Sequence, residues 1–165
     1  MAAKIKNRHR LKRKEIQSIM NELKQTFDQE FFDEHDSIET GEIEGIKVIL
    51  IEDEACFMIH ENQIIFTLHG LTKYNPQEQR VIVDMGAVKF VTSGADVMAP
   101  GIVDADCDIV EKDQVWICDE RHHKPLAVGI AVMNGEQMME EEKGKAITVI
   151  HYVGDPLWQM TAKSL

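Results

Sequence analysis

From Leu11 onward the apolar residues of this 165-residue chain fall at Ile16, Ile19, Met20, Leu23 and Phe27. Steps of three and four set them on one stripe and predict an amphipathic helix over about 12–28. The acidic segment 28–44, with Phe31 and Phe32 ahead of Ser37, Thr40 and Gly41, predicts a short second turn and then a loop. Three apolar or β-branched runs follow, 46–51, 55–60 and 64–69, separated by E-D-E and E-N-Q. Short polar gaps between such runs predict antiparallel strands joined by hairpins. Segment 70–79, with Asn75-Pro76, reads as a boundary between modules 1–79 and 80–165.

Beyond the boundary, 80–83 reads as a strand, and Gly86 opens a short helix in which Ala87, Val88, Phe90 and Val91 are apolar and Lys89 faces outward. Runs 115–118, 126–133 and 146–153 have strong strand propensity. Residues 134–144 predict one or two helical turns closed by Gly144, with Met138 and Met139 giving a packed face and Glu140, Glu141 and Glu142 a charged one. Many short strands with few helical turns suggest a small, partly closed barrel in an α+β fold.

Charge is distributed unevenly. The net value is −11, yet residues 1–14 carry Lys4, Lys6, Arg8, Arg10, Lys12, Arg13 and Lys14 with no acid. Residues 15–79 hold 3 basic and 15 acidic side chains, and residues 80–165 hold 8 and 14. A basic arm on an acidic body excludes diffuse attraction of the whole surface to phosphate, so any nucleic-acid contact is local. Seven clustered cations suit a phosphate anchor through counterion release; the plainer reading is a solvated tail.

No apolar run approaches the length needed to cross a bilayer. The N-terminus lacks the apolar centre of a secretion signal and no glycosylation sequon occurs, so a cytoplasmic protein is expected. Cys56, Cys107 and Cys118 form no C-x-x-C pair and no even set, which gives neither a disulfide framework nor a zinc site. His60, His69 and His151 are too scattered to compose a ligand set, and neither metal nor cofactor is expected. Nucleophile-elbow, zincin and phosphate-loop motifs are all missing, which favours binding over catalysis.

The densest punctuation lies in 84–102, D-M-G-A-V-K-F-V-T-S-G-A-D-V-M-A-P-G-I, and in 151–158, H-Y-V-G-D-P-L-W. Ser93-Gly94-Ala95 and Pro100-Gly101 beside Lys89 offer bare backbone N–H groups near a cation, a setting suited to phosphate. Together the two stretches resemble the PUA domain, a small RNA-binding barrel, over about 80–160. That resemblance implies RNA contacts at Lys89, Ser93, Gly94, Ala95, Met98, Pro100 and Gly101, and at His151 and Tyr152 near the end of the last strand. Leu157 and Trp158 then close the barrel bottom while Asp155 caps a turn, and His122-His123 forms a hairpin tip.

More narrowly, the same stretches resemble the translation-factor family of the malignant T-cell amplified sequence protein and ligatin, in which an α/β pre-PUA module precedes the PUA pseudo-barrel. An archaeal member fits the pattern. The resemblance implies an RNA-binding translation factor that engages the small ribosomal subunit and the tRNA acceptor end during initiation, reinitiation or recycling, with a partner similar to the density-regulated protein. This chain departs from the family in its more basic N-terminus and more acidic body, which changes how it docks on a ribosome. Two alternatives stand beside this: a module that recruits RNA for a separate modifying enzyme, and an acidic protein-interaction adaptor with no RNA role.

Overall fold

The computed structural model describes residues 5–162, and contacts divide the chain into two units. One comprises residues up to 76 together with those from 156 on, and the other comprises 77–155.

The first unit is built on a five-stranded antiparallel sheet in the order β1 (Lys6–Arg10), β2 (Ile38–Ile43), β3 (Ile46–Ile51), β4 (Glu54–His60), β5 (Gln63–Phe66). Three two-residue turns join β2 to β5: Glu44-Gly45, Glu52-Asp53 and Glu61-Asn62, each with positive φ at both positions. That is the type I′ geometry whose twist matches the strands it connects. Helix α1 (Arg13–Phe27) buries Ile16, Leu23 and Phe27, the predicted stripe. Glu22 of α1 accepts from the Ile64 N–H at 2.7 Å and so covers part of the sheet's β5 edge. Phe27, Phe31, Phe57 and Phe66 pack with ring centroids 4.6–5.8 Å apart, contacts worth roughly 0.5–1.5 kcal/mol each beyond the area they bury.

Two segments of this unit differ from the reading above. Strand β2 lies inside the expected loop, its acidic stretch anchored by buried Ile38 and Ile43. The strand expected over 64–69 stops at Phe66 because Thr67 caps helix α2 (Leu68–Tyr74), accepting from Gly70 N–H at 3.0 Å. Only glycine fits at position 70, where a Cβ would stand 2.0 Å from the Cys56 carbonyl oxygen.

The second unit holds a six-stranded sheet in the order β7 (Val97–Met98), β11 (Lys145–Tyr152), β10 (Pro125–Ala131), β9 (Gln114–Asp119), β6 (Arg80–Val83), β8 (Ile102–Ala105). The β6–β9 pair is parallel and every other pair antiparallel, giving the PUA pseudo-barrel. Its core gathers Val81, Val83, Val115, Ile117, Ala127 and Ile147. Helix α3 (Met85–Val91) starts at Asp84, whose carboxylate accepts from Ala87 N–H at 2.8 Å. Helix α4 (Gly135–Glu140) buries Met138 as predicted but exposes Met139, which was expected on the packed face, and it ends at Glu141 and not at Gly144.

Helix α5 (Pro156–Ala162) groups by contacts with the first unit, whereas the sequence reading sets these residues within 80–165. It packs with α2 in the first unit, with Leu157 buried and Trp158 half-buried. The second unit ends at Asp155, whose carboxylate caps the turn by accepting from Tyr152 N–H at 3.0 Å. No helix among the described residues is long and apolar enough to cross a membrane.

Candidate nucleic-acid interface

Helix α3 spans seven residues, and its buried face is set by Val91 with Ala87 and Val88 partly buried. At 3.6 residues per turn Phe90 falls about 110° from the middle of that face and Lys89 about 150° from it. Both are solvent-facing: Phe90 is 56% exposed, and the Lys89 ammonium sits over the Phe90 ring at 5.1 Å from its centroid.

After α3 the chain folds back through 92–96 into β7 and a 3-10 turn (Ala99–Gly101). Gly94 adopts φ +90, and the Tyr152 ring of β11 occupies the space beside it, so that a Cβ there would lie 2.9 Å from two ring carbons. Asp96 ties the same segment to β11: its Oδ1 accepts from Val149 N–H at 2.9 Å and its Oδ2 lies 3.5 Å from Lys145 Nζ. Exposed Met98 pairs with Lys145 across β7 and β11, while Gly101 returns to α3 by accepting from Asp84 N–H at 2.9 Å. Helix α3, the turn after it and the end of β11 thus form one fastened surface, with Lys89, Phe90, Ser93, Ala95, Met98 and Pro100 exposed on it.

Two expectations are corrected here. The backbone N–H groups of Ser93, Gly94 and Ala95 are not bare: they donate to Phe90 O, Val91 O and Phe90 O at 3.2, 3.1 and 3.0 Å. The turn closes the C-terminal end of α3, which presents carbonyls rather than amides, so no phosphate cradle exists there. His151, expected on the RNA face, is 1% exposed. Its Nδ1–H donates to Asp155 Oδ2 at 2.7 Å, and the pair fixes the end of β11 from within while Tyr152, one residue on, meets Gly94. Strand alternation sends neighbouring side chains to opposite faces, which separates the two roles.

Ser93 Oγ–H lies 3.0 Å from both Lys89 O and Phe90 O and is held by the helix end. Among the described residues the one triad with metal-ligand chemistry is Asp106, Cys107 and Asp108, and the Asp106 carboxylate already accepts from Gln79 and Asp108 N–H groups at 2.9 and 3.0 Å. His122 and His123 occupy the β9–β10 hairpin tip, where Asp119 accepts from three backbone N–H groups.

In the basic segment, Lys6, Arg8 and Arg10 lie in β1, Lys12 precedes α1, and Arg13 and Lys14 begin it; Lys4 lies outside the described residues. Two of its cations are neutralised. Arg8 makes a bidentate contact with Glu39 and reaches Asp53 at 2.6 Å; Arg13 makes a bidentate contact with Glu34 at 2.8 and 2.9 Å. The Arg13 guanidinium holds the Glu34 carboxyl below its usual range. Lys6, Arg10, Lys12 and Lys14 are exposed and form no ion pair among the described residues.

Residues 79–153 match the PUA domain, and residues 7–74 match a domain of unknown function, DUF1947. Fold and matched residues together define a two-module PUA protein whose second half is an RNA-binding fold. The chain is 44% identical over 156 residues to the uncharacterized protein MJ1432 of Methanocaldococcus jannaschii, covering 93% of this chain and 96% of that one. It is 32% identical over 124 residues to Translation machinery-associated protein 20 of Saccharomyces cerevisiae, covering 72% and 68%. Identity to Malignant T-cell-amplified sequence 1-B of Xenopus laevis is 34% over 124 residues, covering 71% and 67%. Among solved structures, the hypothetical protein PH0734.1 of Pyrococcus horikoshii OT3 superposes with a TM-score of 0.85 at 37% identity, over 94% of this chain and 99% of that one. The chain belongs to the family of translation-associated pre-PUA and PUA proteins that includes Malignant T-cell-amplified sequence 1 and Translation machinery-associated protein 20.

Proposed function

We propose that the chain is a non-enzymatic, cytoplasmic translation factor that holds the tRNA acceptor end with its second unit and docks on small-subunit RNA through the unpaired cations of its first. The observation behind this is the exposed Phe90 ring beside the Lys89 ammonium on helix α3, next to a turn that Gly94 packs against Tyr152. An aromatic face accepts the unpaired terminal bases of an RNA by stacking, and the adjacent cation meets their phosphates. The proposed contacts are Lys89, Phe90, Ser93, Ala95, Met98 and Pro100, with Gly94, Gly101 and Tyr152 shaping the surface. A companion protein similar to the density-regulated protein belongs to the same reading, and initiation, reinitiation or recycling is the step it serves.

The test is tRNA affinity measured against salt. With five unpaired cations, Lys6, Arg10, Lys12, Lys14 and Lys89, the slope of log affinity on log salt is expected to approach about −4 if all reach phosphates. Removing the unpaired 3′ nucleotides should weaken binding further, and the protein should co-sediment with small subunits. Affinity indifferent to both salt and the 3′ end overturns the reading and favours the acidic adaptor.

A further inference from the structure

A second surface, on α1, has a composition that the rest of this acidic chain does not share. Lys14, Gln17, Ser18, Asn21 and Gln25 are all exposed and line an open, shallow depression of about 510 Å³ together with Glu22. At 3.6 residues per turn these five fall within an arc of about 100°, and at 1.5 Å per residue they run about 16 Å along the helix. The two acids that border the arc are both engaged: Glu22 accepts from Ile64 N–H at 2.7 Å, and Glu15 accepts from Lys12 N–H at 3.1 Å. Gln17 donates to Glu34 at 3.3 Å, while the side chains of Lys14, Ser18, Asn21 and Gln25 have no partner among the described residues. The unpaired cations Arg10 and Lys12 precede the head of this stripe.

We infer that this stripe is a docking surface for double-stranded RNA, laid along the shallow minor groove of an A-form helix. Amides and a hydroxyl both donate and accept, which suits 2′-hydroxyls and base edges, whereas a row of lysines would suit phosphate alone. The minor groove of A-form RNA is the wide, shallow one that a helix face can approach, and phosphates at its rim meet Lys14 and the cations ahead of it. Lys14, with Arg10 and Lys12 ahead of it, complements an anionic partner, and a stripe without apolar side chains argues against a membrane-inserting role; the Glu22 carboxylate at the edge of the depression is turned to Ile64 N–H. The inference rests on the RNA-binding reading above and adds the class of RNA that the first unit takes.

The experiment uses the full chain with three probes: a blunt RNA duplex of roughly 16 base pairs, a DNA duplex of the same sequence, and a single-stranded RNA with a free 3′ end. Two double variants are compared with the wild type, Asn21→Asp with Gln25→Glu, and Asn21→Ala with Gln25→Ala. Both leave the buried face of α1 intact. The carboxylate pair should lose at least tenfold in affinity for the RNA duplex and the alanine pair about fivefold, with affinity for single-stranded RNA kept within twofold. Wild-type protein should bind the DNA duplex at least tenfold more weakly than the RNA duplex. An alanine pair that binds the RNA duplex like wild type, or equal affinity for DNA and RNA duplexes, overturns the inference. Wild-type protein that binds single-stranded RNA but neither duplex overturns it and leaves the RNA reading standing; binding to no RNA overturns both.

Discussion

The ring of Tyr152 rests on the bare α-carbon of Gly94, so closely that a Cβ at position 94 would stand 2.9 Å from two of its ring carbons. This contact joins the turn after α3 to the end of β11, and Gly94 also needs its φ of +90. Gly94→Val therefore meets two penalties. Left-handed backbone costs a side-chain-bearing residue about 1–2 kcal/mol, and the Tyr152 ring must move. A drop in melting temperature of several degrees is expected, together with loss of affinity for RNA 3′ ends, both read on the same purified variant.

Phe90 offers the opposite case. Because its ring is exposed, Phe90→Ala should leave stability within about 0.5 kcal/mol. Stacking on a base is worth roughly 1–3 kcal/mol, so affinity for an unpaired 3′ end should fall roughly five- to hundredfold. Thermal melting beside RNA titration separates the two effects, and an unchanged affinity removes Phe90 from the interface.

His151 is expected to act through stability. His151→Leu leaves the buried Asp155 carboxylate without its imidazole partner, at a cost of about 2–3 kcal/mol or more. Denaturant unfolding of the variant measures it. A loss much below 1 kcal/mol would mean that the His151–Asp155 hydrogen bond does not hold the end of β11.

The meander over 46–66 was legible because short polar gaps, E-D-E and E-N-Q, between β-branched runs admit few connections other than tight hairpins. Strand β2 was not, since E-T-G-E between Ile38 and Ile43 has the composition of a loop; it becomes a strand by pairing with β1 on one side and β3 on the other. Helix α2 was hidden because L-H-G-L continues the apolar run before it, and Thr67, whose hydroxyl caps the helix, also suits a strand. Sequence placed Gly94 and Tyr152 in the two halves of one surface but gave the wrong physical reason, since backbone hydrogen bonding at a helix end is invisible in composition. Phe90 was recoverable: a helical wheel drawn on Ala87, Val88 and Val91 sets it off the buried face. The inward turn of His151 was harder to see, because the register shift between Val128 and Gly129 opposite β11 decides which residues face in.

Thiol chemistry gives an independent check of the burial pattern. Cys56 and Cys118 are buried, and burial pushes both thiols up to about 11, whereas Cys107 is exposed. Near pH 8 a thiol reagent should modify one cysteine per native chain and all three in denaturant. Rapid modification of three native thiols would contradict the fold.

Acid should loosen the β9–β10 hairpin tip. Burial alone would raise the Asp119 carboxyl, but the N–H groups of His122, Lys124 and Arg121 outweigh it and hold it below the ordinary 3.8. A depressed folded pKa means that its contribution is complete above 3.8 and is lost as pH falls through the lower folded value. The side-chain carboxyl resonance of Asp119 should titrate with a midpoint below the ordinary value. A midpoint above the ordinary value would show that the carboxylate is not held by these amides.

The most direct measurement compares two RNA hairpins that share an acceptor-type stem, one blunt and one with four unpaired 3′ nucleotides, against wild-type protein and the double variant Lys89→Glu with Phe90→Ala. Tighter wild-type binding to the tailed hairpin, abolished in a variant that melts like wild type, is the expected result. Equal wild-type affinity for both hairpins, or a preference that survives the double substitution, would mean that the surface between α3 and β11 does not hold an RNA end.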